Sequence, residues 1–267
     1  MNRPYLWAIL AAFCLAGCSD GAQADNATKE VGAAKVILTA QPASERSKSN
    51  PPEFAEAAYQ PARQAMVATQ IAARGVNDAR VLEAMRRVPR HELVPARLES
   101  KAYRDRPLPI GHGQTISQPY IVGYMTELLE LEPGDRVLEV GTGSGYQAAI
   151  LGQLVDHVVT IEIIDELAHA AAADLQSLGY TNITVLEGDG YFGYPPQAPF
   201  DAIIVTAAAD HIPPPLIDQL KPGARMAVPV GRTGWTQNLM LVSKDQQGTV
   251  TTRNLMAVSF VPLTRRD

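Results

Sequence analysis

The stretch best suited to chemistry is Leu138-Glu139-Val140-Gly141-Thr142-Gly143-Ser144-Gly145-Tyr146. An apolar run, a glycine-rich turn and a helix start bring backbone N–H groups close to a ligand. Such a turn alone is weak evidence. Residue 146 is Tyr, so the three-glycine dinucleotide pattern is not met. Glu162 ends the next apolar run, 21 residues after Gly141, where a carboxylate can accept from both hydroxyls of a ribose. Gly188-Asp189-Gly190 follows the third run, and Asp189 can accept from an adenine amino group. Taken singly, Glu162 also reads as a solvated strand end and Asp189 as a turn former. Taken in this order, they favour S-adenosyl-L-methionine over a dinucleotide.

The elements that must position these residues alternate. Strands are predicted over 136–140, 157–161, 183–186, 202–205 and 226–230, with helices over 145–154, 165–178 and 213–220. This pattern implies an α/β fold of Rossmann-like, class I methyltransferase type, with a mostly parallel, doubly wound sheet. Two further strands, near 239–242 and 257–261, are expected to close the sheet as an antiparallel pair. An N-terminal helical segment precedes it. Met66, Val67, Gln70 and Ile71 lie at helical spacing before Gly75, and Asp78 caps a helix carrying Val81, Leu82 and Met85. Residues 102–119 read as a Pro- and Gly-rich loop, long enough to suggest a function, and a helix is predicted over 120–131.

Composition sets limits. The 267 residues are 46% hydrophobic and 19% charged, with formal net charge −5, which suits a packed domain and argues against a nucleic-acid partner. Five scattered histidines lack metal-ligand spacing, so no metal site is expected. The two cysteines, Cys14 and Cys18, leave the rest of the chain without a thiolate or disulfide. Arg3, the apolar run 6–16 and Gly17-Cys18 have the parts of a secretory signal, of lipoprotein type with Cys18 as a lipid-anchor candidate. Residues 1–18 are accordingly read as signal, 19–60 as a flexible tether and 61–267 as the folded domain.

Further pieces carry a resemblance: Val88-Pro89-Arg90, Leu108-Pro109-Ile110-Gly111, Gln114-Thr115-Ile116-Ser117-Gln118-Pro119, Asp201 to Ala208, and Phe260-Val261-Pro262-Leu263-Thr264. From about Pro61 to Thr264 the chain resembles the protein-L-isoaspartate O-methyltransferase family, and the Gln-Thr-Ile-Ser-Gln-Pro segment is the most diagnostic part. The resemblance implies Ser117 as the active-site residue. It implies cofactor contacts at Gly141, Gly143, Ser144, Glu162, Asp189 and Gly190, with Thr115 and Ile116 at the methyl end. It also implies a cytoplasmic, monomeric enzyme acting on isoaspartyl-containing proteins and peptides. The methyl ester so formed closes to a succinimide, whose hydrolysis returns some normal aspartate. The sequence departs from the family in its signal-like N-terminus and in Gly223-Ala224, where a glycine pair is common.

The chemistry asks little of the side chains. The methyl group of a sulfonium is already activated, and a carboxylate with pKa near 4 is ionised at neutral pH. No general base is required, so alignment and exclusion of water must supply the rate. Ser117 can orient the substrate carboxylate, or it can be a turn serine. His112 can be a base, although packing against backbone suits a loop histidine better. Three alternatives stay open: a small-molecule O-methyltransferase, an exported non-enzymatic lipoprotein that keeps the fold, and a dinucleotide oxidoreductase. For the N-terminus the expectation is direct. Metabolic labelling with a fatty acid should mark the wild-type chain and not Cys18→Ser; an unlabelled wild-type chain fractionating with the cytosol would refute the signal reading.

Overall fold

The computed structural model describes residues 34–41, 53–232 and 234–266. The signal-like run and Cys18 lie outside the described residues. The elements in chain order are β1 (Lys35–Leu38), α1 (Glu53–Met66), α2 (Ala79–Arg87), β2 (Leu108–Gly111), β3 (Gln114–Ile116), α3 (Pro119–Leu128), β4 (Arg136–Val140), α4 (Tyr146–Gly152) and β5 (His157–Glu162). There follow α5 (Asp165–Ser177), β6 (Ile183–Glu187), β7 (Phe200–Val205), α6 (Pro214–Asp218), β8 (Leu220–Val230), β9 (Gln237–Lys244) and β10 (Val250–Val258).

One eight-stranded sheet runs β1-β6-β5-β4-β7-β8-β9-β10. Strands β6, β5, β4, β7 and β8 are parallel, while β9, β10 and β1 pair antiparallel at the margins. The apolar side chains of β4, β5 and β7 are buried on both faces, as parallel strands covered on both sides must be. Each such Val or Ile contributes about 1.5–3 kcal/mol by leaving water. Helices α1 to α5 supply the larger core on one face. On the other, Leu216 of α6 packs with Leu138, Val140, Ile203 and Val205. The chain leaves β4 towards β5 and β6 on one side and returns to β7 and β8 on the other. That reversal opens a crevice beyond the carboxyl ends of β4 and β7.

Three sequence expectations are corrected. Residues 19–60, expected as tether, include β1 and the first turns of α1. Lys35-Val36-Ile37-Leu38 is too short to show a period, yet it is β-branched and apolar, and it covers the open edge of β6. Pro61 lies inside α1 rather than opening it. Residues 102–119 contain the hairpin β2–β3, turned through Gly111, His112 and Gly113, all at positive φ. Strand β10 begins at Val250, not near Ala257, because Thr251 to Asn254 are exposed and carry no apolar signal. Asp78 caps α2 as expected, accepting from the Arg80 N–H at 2.8 Å. The Gly223-Ala224 departure is harmless, since Gly223 alone of the two has positive φ.

The central strand carries one costly group. Glu139 is fully buried between Thr160 and Ile204 in the register, and neither carboxylate oxygen has a hydrogen-bond partner. The Thr160 hydroxyl is taken by Thr142 at 2.6 Å. Burial pushes the Glu139 pKa up from 4.5 to about 8, Thr160 opposing and the Glu162 charge adding to the rise. Between those values the folded chain keeps a proton that the unfolded chain has released. The stability tied to this group is full below about pH 4.5 and is lost as pH rises through about 8. Thermal melts across this range should show the wild type falling relative to Glu139→Gln as pH rises; parallel curves would contradict it.

Candidate functional site

The turn after β4 holds the crevice floor. Gly141 has φ 100°, and its N–H donates to the Ile161 carbonyl at 2.8 Å. A Cβ on Gly141 would lie 2.4 Å from the Thr206 hydroxyl, and one on Gly190 would lie 2.5 Å from Val140. Both positions therefore exclude any side chain and leave bare backbone facing the cleft. Thr206, just past β7, donates to the Val140 and Gly141 carbonyls at 3.1 and 2.5 Å.

Glu162 is 6% exposed. One oxygen accepts from the Gly143 N–H at 2.9 Å, the other from the N–H groups of Ile163 and Ile164 at 3.0 Å each. Three charge-assisted bonds hold this carboxylate at the cleft wall and fix the turn beside it. The cleft is lined by Thr115, Gly141, Gly143, Glu162, Gly190 and Thr206, closed by the tail Val261 to Thr264. These residues fit an adenosyl ligand: bare backbone at the turn and a buried carboxylate with lone pairs to spare.

A second cavity, of about 470 Å³, opens beside the first. Its lining includes Arg74, Ser117, Gln118, Ile121 and Phe260. The two share Thr115, Thr206 and Val261. Ser117 is half-buried, and its hydroxyl has no hydrogen-bond partner among the described residues. Around it the backbone is braced: Asp105 accepts from Gln118 Nε2 at 2.7 Å and from the Tyr120 N–H at 2.9 Å.

The structure gathers most of the expected residues and relocates three. Thr115, Gly141, Gly143, Glu162 and Gly190 line the first cleft and Ser117 the second. Ile116 lines neither cavity; it is buried in the core, because neighbouring strand residues point to opposite faces and Thr115 takes the outward one. Ser144 caps the start of α4, accepting from the Tyr146 N–H at 3.4 Å. Asp189 is engaged by the chain's own tail: it accepts from Tyr191 N–H at 3.0 Å, Arg265 Nε at 2.9 Å and Arg266 N–H at 3.4 Å. The Arg265 guanidinium also lies 3.7 Å over the Tyr191 ring. His112 sits exposed at the hairpin turn and lines neither cavity. Sequence reasoning missed Thr206 and Val261 as wall residues, and Arg265 as the partner of Asp189. Thr206 had a signal, since it follows the strand beside β4; Val261 lay in a segment that marked the family resemblance, but nothing local placed it at the cleft.

A parallel sheet reversing beside β4, a glycine turn at the reversal and a buried acid ending β5 define a class I methyltransferase. Residues 60–267 match the model of the protein-L-isoaspartate(D-aspartate) O-methyltransferase family. The chain belongs to that family. It is 59% identical over 209 residues to protein-L-isoaspartate O-methyltransferase 1 of Nitrosospira multiformis, covering 78% of this chain and 89% of that one. To the Opitutus terrae protein-L-isoaspartate O-methyltransferase it is 50% identical over 230 residues, 86% of this chain and 94% of that one. A solved protein-L-isoaspartate O-methyltransferase superposes with TM-score 0.69 at 28% identity, over 76% of this chain and 66% of that one. A Plasmodium falciparum structure solved with S-adenosyl-L-homocysteine has TM-score 0.66 at 24% identity, over 76% of this chain and 99% of that one, and bears on the fold alone.

Removing the cleft carboxylate should cost binding. Glu162→Ala loses a charged acceptor worth about 1.5–3 kcal/mol, or roughly tenfold or more in affinity, and also frees three backbone N–H groups. Calorimetric titration with S-adenosyl-L-homocysteine should show that loss in a folded variant; unchanged affinity would remove Glu162 from the site.

Proposed function

We propose that this chain transfers the methyl group of S-adenosyl-L-methionine to the free carboxylate of L-isoaspartyl residues in damaged proteins, starting their repair. The observation that carries this reading is the Ser117 cavity, which meets the glycine-turn cleft at Thr115, Thr206 and Val261. The relatives reported above support it by name.

The bound donor supplies a methyl group already activated by the sulfonium charge. The chain's residues bind and orient. Gly141, Gly143 and Gly190 present backbone without side chains, and Glu162 accepts from the ribose hydroxyls. Asp189 has lone-pair capacity left for the adenine amino group beside its bond to Arg265. Thr115 stands where the two cavities meet. The Ser117 hydroxyl donates to the substrate carboxylate and holds one oxygen in line. No base is needed, because the carboxylate is ionised at neutral pH. The residues named here all come from a single chain, so the reading needs no second copy. The arginine-started apolar run and Gly17-Cys18 support export and lipid anchoring at Cys18, whereas a donor made in the cytosol supports a cytoplasmic setting.

A radiolabelled methyl-transfer assay on an isoaspartyl peptide and its aspartyl twin tests the reading: label should enter the first and not the second. Ser117→Ala should lower kcat by no more than about 10²- to 10³-fold, and by less where the substrate loses charge as it reacts. Affinity for S-adenosyl-L-homocysteine should hold, and no methylated enzyme should accumulate. Full activity would reduce Ser117 to a loop residue, and joint loss of cofactor binding would move it to the cofactor side.

A further inference from the structure

Arg90 holds a charge that the mechanism above does not use. It is fully buried at the start of a short 3-10 turn, directly after Val88-Pro89. Among the described residues no carboxylate stands within ion-pair distance of it. Its Nε donates to the Ala102 carbonyl at 2.8 Å, and one terminal nitrogen donates to the Ser117 carbonyl at 2.7 Å. The other terminal nitrogen has no partner, and the guanidinium lies 4.7 Å over the Tyr146 ring. Burial pulls its pKa down to about 10, which leaves it protonated at neutral pH.

A buried cation without a counter-ion is costly, and an apolar side chain would fill the same volume more cheaply. What the guanidinium adds is a rigid fork that binds two acceptors in a fixed geometry. Its two acceptors sit at the two ends of the segment 102–117, which carries the β2–β3 hairpin and ends at the serine. Asp105 braces the next residue through Gln118. The Ser117 hydroxyl itself has no hydrogen-bond partner among the described residues, so the place from which it reaches into the cavity is set by its Cα–Cβ bond, and that backbone is held at the carbonyl by Arg90.

We propose that Arg90 is a positioning residue for Ser117: by pinning the Ala102 and Ser117 carbonyls it fixes the place from which the serine hydroxyl reaches into the substrate cavity. This rests on the reading of Ser117 as the group that orients the carboxylate. Lysine in its place keeps the charge but offers one point instead of a fork.

The test is a double-mutant cycle on the full chain. For wild type, Ser117→Ala, Arg90→Lys and the double variant, kcat and KM are measured with an isoaspartyl peptide, and affinity for S-adenosyl-L-homocysteine by calorimetry. Arg90→Lys should keep cofactor affinity within about twofold and lower kcat by about ten- to a hundredfold, the scale of a small misplacement of a reacting group. In the Ser117→Ala background the same change should cost at least about fivefold less. A brace that serves only stability would lower both backgrounds equally, so losses that multiply overturn the inference, as does full kcat in Arg90→Lys. Should the ammonium prevent folding, Arg90→Met, which fills the site without charge, is taken through the same cycle and judged by the same coupling. Full activity in Ser117→Ala would instead overturn the reading of Ser117, and this inference with it.

Discussion

The close approach of Gly141 to Thr206 governs the architecture of the site. The Thr206 hydroxyl occupies the space that any side chain at residue 141 would fill, and it bonds two carbonyls of the turn it touches. This contact joins the ends of β4 and β7, the pair at which the chain reverses direction across the sheet. With those ends locked together, the turn has one open side. The hairpin, the end of β5 and the tail can only gather around that side.

Buried charge is spent mainly on backbone. Glu162 accepts from three main-chain N–H groups, and Arg90 donates to two main-chain carbonyls. Loops cannot satisfy their own polar groups as helices and strands do, and these side chains do it for them. A charged partner makes a stronger bond than a neutral one, so segments without regular structure are held nearly as firmly as the sheet. A transfer reaction that depends on alignment rather than on acid or base groups gains from that rigidity. Glu139 is the exception. It is buried beside the Thr160 hydroxyl with neither oxygen in a full hydrogen bond, and its neutral form lowers the cost.

How much of this was legible in the sequence depended on range. The β4 turn, Glu162 and the alternation of strands and helices follow from spacing within a few dozen residues, and the structure keeps all of them. The Asp78 cap and the antiparallel pairing of the last strands were readable for the same reason. Strand β1 was not, because its partner among the described residues is β6, about 150 residues on, and four residues show no period. Ile116 was assigned to the wrong side because strand parity depends on where a hairpin turns. Asp189 was read from its position after β6, whereas the partners that engage it, Arg265 and Arg266, lie 76 and 77 residues away. Arg90 belongs to a motif that marked the family, yet nothing in Val88-Pro89-Arg90 tells that the guanidinium reaches under the serine.

The segment that closes the cofactor cleft follows all the other parts of the site in sequence. Val261 to Thr264 form one wall, and Arg265 and Arg266 tie that wall to Asp189 and Glu187. Synthesis proceeds from the N-terminal side, so the glycine turn, the hairpin and the parallel strands all exist before this wall is made. A growing chain carries the floor of the cleft with one side missing until residues 261–266 have been added. The enclosure of the site thus comes late in synthesis, conferred by residues that leave the ribosome after every strand of the sheet.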